Sequence, residues 1–149
     1  MPELTTGTAT RPAHRVRAPM LTFSLATEAF QLRKEAAATL HQDRNAKTLV
    51  KEADFSIVLL LMNKGCVLRQ HVVAAEIAIQ SLSGHVRLST PEQQADLVAG
   101  QLVVLDRGIP FSLEALTESN FILTVARHAL PELTGFDLDA DDLGPEGRE

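Results

Sequence analysis

Tryptophan and tyrosine are absent from this 149-residue chain, and six phenylalanines are its only aromatic residues. Sites that stack nucleic-acid bases need aromatic platforms, so the composition argues against such a site. The single cysteine, Cys66, excludes an internal disulfide and favours a reducing compartment. The longest apolar run, Phe55 to Met62, is far too short to span a bilayer, and no stretch of signal-peptide type begins the chain. We therefore expect a cytoplasmic protein that binds neither membranes nor nucleic acid.

The negative charge of the chain is concentrated at its C-terminal end. Residues 130–149 carry seven acids and one base, so the rest of the chain is close to neutral although the net charge is −5. The body therefore lacks the basic balance of a duplex-binding protein. We expect an acidic, disordered tail at 128–149, a flexible segment at 1–19, and one folded domain at 20–127.

The N-terminal part of this domain has the pattern of one short strand and one helix. Residues 20–25 could form an edge strand, and Thr27 is a plausible helix N-cap with Glu28 in the first turn. The turn residues that follow His41 predict that the helix ends there. Four apolar residues recur at helical spacing: Ala29, Leu32, Ala36 and Leu40.

After residue 45 the pattern is that of short strands separated by turn residues. Such an arrangement is typical of an all-β sandwich or barrel. Phe55–Met62 is apolar on both faces, which predicts a central strand. The predicted strands are 47–51, 55–62, 67–73, 76–82, 85–88, 102–105, 112–116 and 121–125.

Two glycine-bounded segments resemble the two motifs of the cupin superfamily. The first reads Gly65-Cys-Val-Leu-Arg-Gln-His71-Val-Val73, then Glu76 and Gly84; the second runs from Gly100 through Gly108 to Phe111 and Ala115. Residues 21–126 are also similar to small single-domain cupins with a helical lead-in. The resemblance implies an all-β fold, a small antiparallel, jelly-roll-like cupin β-barrel with an N-terminal helix. The four glycines named here are expected to adopt the positive φ that tight turns need.

Metal-binding cupins take their ligands from two histidines and a glutamate of the first motif and a histidine of the second. In this chain His71 matches the first position, whereas Val73 and Phe111 replace the other two histidines. Neither replacement can donate a lone pair, and a first-row metal usually needs three or more protein ligands.

The glutamate position of the first motif is also altered. Glu76 lies one residue nearer to His71 than the motif allows, and the positions in register are Ile77 and Ala78. Because a slip of one residue turns a strand side chain to the opposite face, Glu76 is expected to point away from the centre. The resemblance therefore implies no bound metal, and we expect no cofactor.

The candidate pocket consists of the motif residues and their polar neighbours. His71 could act as an acid or base, or simply line the barrel through a hydrogen bond. Arg69 shares strand parity with His71 and could bind a carboxylate, or keep its head in solvent at the rim. His85 is a possible additional polar group in the barrel. The candidate ligand-pocket residues are Arg69, His71, Val73, Gln80 and Phe111.

Three functions remain open at this point. The first is a metal-free module that binds or senses a small molecule. The second is a metal-free isomerase or epimerase with His71 as general base, although such cupins pair that histidine with a tyrosine and this chain has none. The third is a structural dimer without ligand. The balance favours a non-enzymatic protein, and we expect a homodimer because Phe55–Met62 and Phe121–Val125 are apolar on both faces.

Overall fold

The computed structural model of the protein describes residues 19–37 and 43–127. All but the last residue of the predicted flexible N-terminal segment, and the whole acidic tail, lie outside the described residues. Within the described ranges no helix is long and apolar enough to cross a bilayer. One helix, α1 (Leu25–Ala37), precedes nine strands: β1 (Arg44–Lys51), β2 (Phe55–Met62), β3 (Val67–His71), β4 (Ala75–Ser83), β5 (His85–Ser89), β6 (Gln94–Val98), β7 (Leu102–Leu105), β8 (Phe111–Ala115) and β9 (Ser119–Arg127).

Helix α1 begins earlier than the sequence indicates. The Thr27 backbone N–H donates to Ser24 Oγ at 3.3 Å, and the Glu28 N–H donates to the Ser24 carbonyl at 3.0 Å. Ser24 is therefore the N-cap, and the prediction of Thr27 was wrong. The predicted strand at 20–25 was also wrong, because Leu25 already belongs to the helix and no strand precedes it in the described residues. The predicted end at His41 lies outside the described residues.

The strands form two antiparallel sheets that face each other as a flattened barrel. The five-stranded sheet has the order β1-β2-β9-β4-β7, and the four-stranded sheet has the order β3-β8-β5-β6. All recorded strand pairs are antiparallel. The predicted all-β architecture with an N-terminal helix is therefore confirmed.

The barrel interior is filled by apolar side chains from both sheets. Phe111, Phe121 and Leu113 are among its largest fully buried members. Burial alternates along the first part of β4: Ile77 and Ile79 face the interior, while Glu76, Ala78 and Gln80 face outward. This regular alternation decides the orientation of every candidate residue on β4.

A second apolar cluster lies between α1 and the outer face of the five-stranded sheet. Leu32 of the helix packs over Leu59 and Leu61 of β2 and Ile122 of β9. The helix thus covers the outer apolar faces of β2 and β9. The sequence argument that those faces need a second subunit was wrong, because the chain's own helix buries them.

The turn between β4 and β5 depends on a glycine. All four motif glycines have positive φ, as predicted, and Gly84 has a φ of 87°. A side chain at this position would place its Cβ only 2.3 Å from the Glu118 carbonyl oxygen, which the backbone cannot relieve. Gly84 is therefore needed because two turns approach each other closely at this point, and it has no chemical role.

Candidate functional site

The four positions at which the cupin motifs place metal ligands converge in the barrel interior. Val73 is 5% exposed, Ile77 2% and Phe111 1%, and all three belong to the central core cluster. His71, at the end of β3, is half-buried and lies directly opposite Phe111 of β8. Three of the four positions thus hold buried side chains that cannot coordinate a cation, so the residues present do not fit the metal of the fold family.

The register of β4 shows which residue stands at the glutamate position of the first motif. Ile77 lies seven residues before Gly84, as the motif requires, and points inward. Glu76 lies on the opposite face and is half-buried there, as the one-residue slip predicts. Among residues 19–37 and 43–127, no group of three histidine, cysteine, aspartate or glutamate side chains is placed to hold a metal ion.

His71 and Phe111 are in ring contact. Their ring centroids are 6.1 Å apart with an interplanar angle of 51°, a tilted arrangement. The backbone beside this ring pair is held by a hydrogen bond, in which the Gly108 N–H donates to the Val73 carbonyl at 3.0 Å. Phe111 is therefore a direct neighbour of His71 at the position where the second motif places a histidine.

Arg69 does not share the face of His71. Strand β3 contains one extra residue relative to β8, because Leu68 pairs with Leu113 whereas His71 pairs with Phe111. This bulge breaks the alternation on which the parity argument relied. Arg69 is exposed, and the alternative in which its head lies in solvent describes it.

Gln80 and His85 also lie outside the barrel, contrary to their predicted places. Gln80 is exposed beside Leu102 on the outer face of the five-stranded sheet. On the outer face of the four-stranded sheet, His85 Nε2 lies 3.2 Å from Asp96 Oδ2, and Arg87 Nε donates to Asp96 Oδ1 at 2.9 Å. The Arg87 guanidinium, followed by His85, lowers the pKa of the Asp96 carboxyl. The structure therefore brings together only His71, Val73 and Phe111 of the five predicted pocket residues.

An open groove lies beside these residues, between the free edges of β6 and β7. Its volume is about 380 Å³. The β5–β6 turn forms one wall and is held by hydrogen bonds between Thr90 and Gln93, and the β7–β8 connection forms the other. The residues that line it are Leu88, Thr90, Pro91, Glu92, Gln93, Gln94, Ala95, Val103, Val104, Leu105, Asp106, Ile109 and Pro110. We call this set the mouth groove.

A second cavity of about 340 Å³ adjoins the mouth groove. The two share Thr90, Pro91 and Pro110, and the second is lined by Phe111 as well. Phe111 thus separates the mouth of the barrel from its packed interior. Sequence reasoning missed the groove because it missed β6, which forms one of its edges.

Neither family models nor curated sequences match the chain, but solved structures do. An RmlC-like cupin from Shewanella frigidimarina superimposes with a TM-score of 0.55 at 13% identity, over 63% of this chain and 85% of that one. The cupin domain of Schizosaccharomyces pombe Cnp3 gives 0.57 at 16%, over 65% and 74%.

This chain has the cupin fold. A conserved protein of unknown function from Streptococcus pyogenes is similar as well, with a TM-score of 0.56 at 26% identity, over 60% of this chain and 79% of that one. The cupins compared are only 13% and 16% identical to this chain, so they show its fold and do not show its chemistry, which is argued from its own residues.

Proposed function

We propose that this cupin-fold protein is a metal-free, non-enzymatic module that binds a small molecule in the mouth groove. The observation that carries the proposal is the filling of the barrel centre. Val73, Ile77 and Phe111 occupy three of the four ligand positions and are packed in the core. A binding site must therefore lie elsewhere, and the mouth groove is the adjoining open space.

The mouth groove has the properties of a preformed ligand site. Its 380 Å³ falls within the range of roughly 300–1,000 Å³ that is usual for small-molecule sites. Leu88, Val103 and Leu105 supply apolar surface, while Thr90 and Gln94 supply hydrogen-bonding groups. The Thr90–Gln93 hydrogen bonds fix one wall before a ligand arrives, which reduces the ordering that binding requires.

The experiment is a fragment screen followed by amide chemical shifts in a ¹H–¹⁵N NMR spectrum. Fragments that bind should shift the amides of mouth-groove residues. Val103→Phe should fill the groove and abolish those shifts, whereas Val98→Phe places the same ring on the outer face of the four-stranded sheet and should leave them unchanged. His71→Ala should also leave them unchanged. Shifts that centre on His71 and vanish in His71→Ala would favour the alternative of a metal-free enzyme.

We also propose that the protein forms a homodimer through strand β7. This strand is the edge of the five-stranded sheet, and Leu102 and Val104 are 60% and 62% exposed on its outer face. No charged residue, proline or bulge protects the strand against pairing with another chain. An edge of this kind is a template for a further strand.

The hydrogen-bond pattern specifies how two copies of β7 would pair. The Ser81 N–H donates to the Gln101 carbonyl, and the Ser81 carbonyl accepts a hydrogen bond from the Gly100 N–H. Since both backbone groups of Ser81 point to this side, every second residue of β4 counted from Ser81 also directs its backbone groups towards β7. It follows that the backbone groups of Leu102 and Val104 point towards the open edge. A twofold axis at Val103 would place Leu102 opposite Val104 of the second copy, satisfying these groups and joining four exposed apolar side chains.

Sedimentation velocity at micromolar concentration tests this interface. The wild-type protein should sediment as a dimer, and Val104→Lys should shift it to monomer because the partner strand would face a lysine. Val98→Lys introduces the same charge at another exposed valine and should remain dimeric. A monomeric wild type, or a Val104→Lys variant that dimerises as well as the control, would contradict the proposed interface.

A further inference from the structure

The charged side chains that line the mouth groove are all negative. Among the lining residues that the structure describes, Glu92 and Asp106 carry carboxylates and none is an arginine, lysine or histidine. Arg107 follows Asp106 in the chain but does not line the groove, and Arg87 is bonded to Asp96 on the outer face of the four-stranded sheet. Resting on the proposed function, we infer that the ligand of the mouth groove is an amine: an apolar body with a positively charged head group.

The two carboxylates come from opposite walls. Glu92 belongs to the β5–β6 turn, and Asp106 follows the last residue of β7. Asp106 Oδ1 accepts a hydrogen bond from the Arg107 backbone N–H at 2.7 Å, and the side chains of both acids are exposed. A positively charged head group in the groove is attracted by both carboxylates, and an ammonium has three N–H donors that suit a carboxylate oxygen.

The remainder of the lining is suited to the body of such a ligand. Leu88, Val103, Leu105 and Ile109 provide apolar contacts, and Pro110 adds a rigid face. A carboxylate or phosphate ligand would find no cationic side chain among the described lining residues and would be repelled by the two acids. Complementary charge thus selects against anions as well as for amines.

A matched set of probes tests the head group separately from the site. Phenethylamine, phenethyl alcohol and 3-phenylpropanoate share an aromatic body and differ in charge. Amide shifts in the mouth groove, titrated for each probe, should give the amine the highest affinity. Raising the salt to about 1 M, where the Debye length is about 3 Å, should weaken the amine and leave the alcohol unchanged.

Two carboxamide variants locate the effect. Glu92→Gln and Asp106→Asn should each weaken the amine by about two- to five-fold, the range typical of an exposed ion pair, and should not weaken the alcohol. Glu114→Gln removes a carboxylate from the outer face of β8 and is the matched control, with no expected change.

The outcomes separate this inference from the function on which it rests. Groove shifts that are strongest for the amine and fall in both variants support the inference. If the alcohol or the acid binds the groove as tightly as the amine, the amine assignment is wrong while the groove remains a ligand site. If none of the three probes, nor any fragment of the screen, shifts groove amides, the proposed function fails and the inference fails with it.

Discussion

Phe111 stands at the second-motif position that holds a metal-ligating histidine in metal-binding cupins, and it is packed there at 1% exposure. Replacing it by alanine removes a whole ring from the core, so we expect Phe111→Ala to lower the free energy of unfolding by about 3–5 kcal/mol. Phe30→Ala removes the same ring from the surface of α1, where it is 56% exposed beside Lys34, and should cost less than about 1 kcal/mol. Urea denaturation of both variants measures the difference, and equal losses would show that Phe111 does not fill the barrel.

Cys66 is buried at 3% exposure, and this burial, with a contribution from Asp43, raises the pKa of its thiol from 9.0 to about 11. Since the thiolate is the reactive form, the folded protein at pH 8 should react with a disulfide reagent about 100-fold more slowly than the denatured chain.

The same pKa shift predicts a dependence of stability on pH. The fold favours the neutral thiol, so its contribution is complete below pH 9.0 and is lost as the pH rises towards about 11. The stability of the wild type should therefore fall relative to Cys66→Ala across this window. Parallel pH profiles of the two proteins would contradict the assignment.

At the residue scale, spacing assigned Val73 and Phe111 to the histidine positions of the motifs but left the glutamate position open between Ile77 and Ala78. It failed for Arg69, because a bulge inserts one residue that no local signal announces. Spacing also failed for Gln80, whose side chain faces outward because residues alternate along β4. One polar residue does not show which face of a strand is buried.

Among the elements, α1 is joined to the sheet by a buried ion pair as well as by apolar contacts. Lys47 Nζ of β1 lies 2.5 Å from Glu28 Oε1, and each side chain is 5% exposed. Lys47→Met should destabilise the protein by about 3–5 kcal/mol, because it leaves the Glu28 carboxylate buried without its partner. Thermal denaturation at neutral pH measures this loss.

The double variant Glu28→Leu with Lys47→Met is the control for that prediction. It removes both charges and keeps the volume, so its stability should return to within about 1 kcal/mol of the wild type or exceed it. A double variant as unstable as Lys47→Met alone would show that the loss comes from packing and not from an isolated charge.

Strand β6 shows the limit of pattern reading for whole elements. Its burial alternates, but the inward side is only a half-buried Ala95 and a buried Leu97, and alanine and aspartate are poor strand formers, so the sequence signal is weak. Strand β2, by contrast, is apolar at every position except Ser56, and both of its ends were predicted correctly. The mouth groove depends on the weak edge strand, which is why the candidate site could be predicted less well than the fold.

For the whole molecule, the mouth groove and the proposed dimer share a strand. Val104 lines the groove and also stands in the proposed β7 interface. If both proposals hold, the ligand changes the affinity of dimerisation by the same factor by which dimerisation changes the affinity for the ligand. Ligand binding would then be measurable as a change in the dimerisation constant. The cytoplasmic location and the properties predicted for the two chain ends stay predictions.

The central claim is that this cupin barrel works without a metal. Native mass spectrometry of tag-free protein tests it most directly, since it reports metal, bound small molecule and oligomeric state in one spectrum. We expect the mass of the polypeptide, as a dimer and with or without an organic adduct, but with no metal. Near-stoichiometric zinc, iron, manganese or nickel that is lost in His71→Ala would contradict the claim.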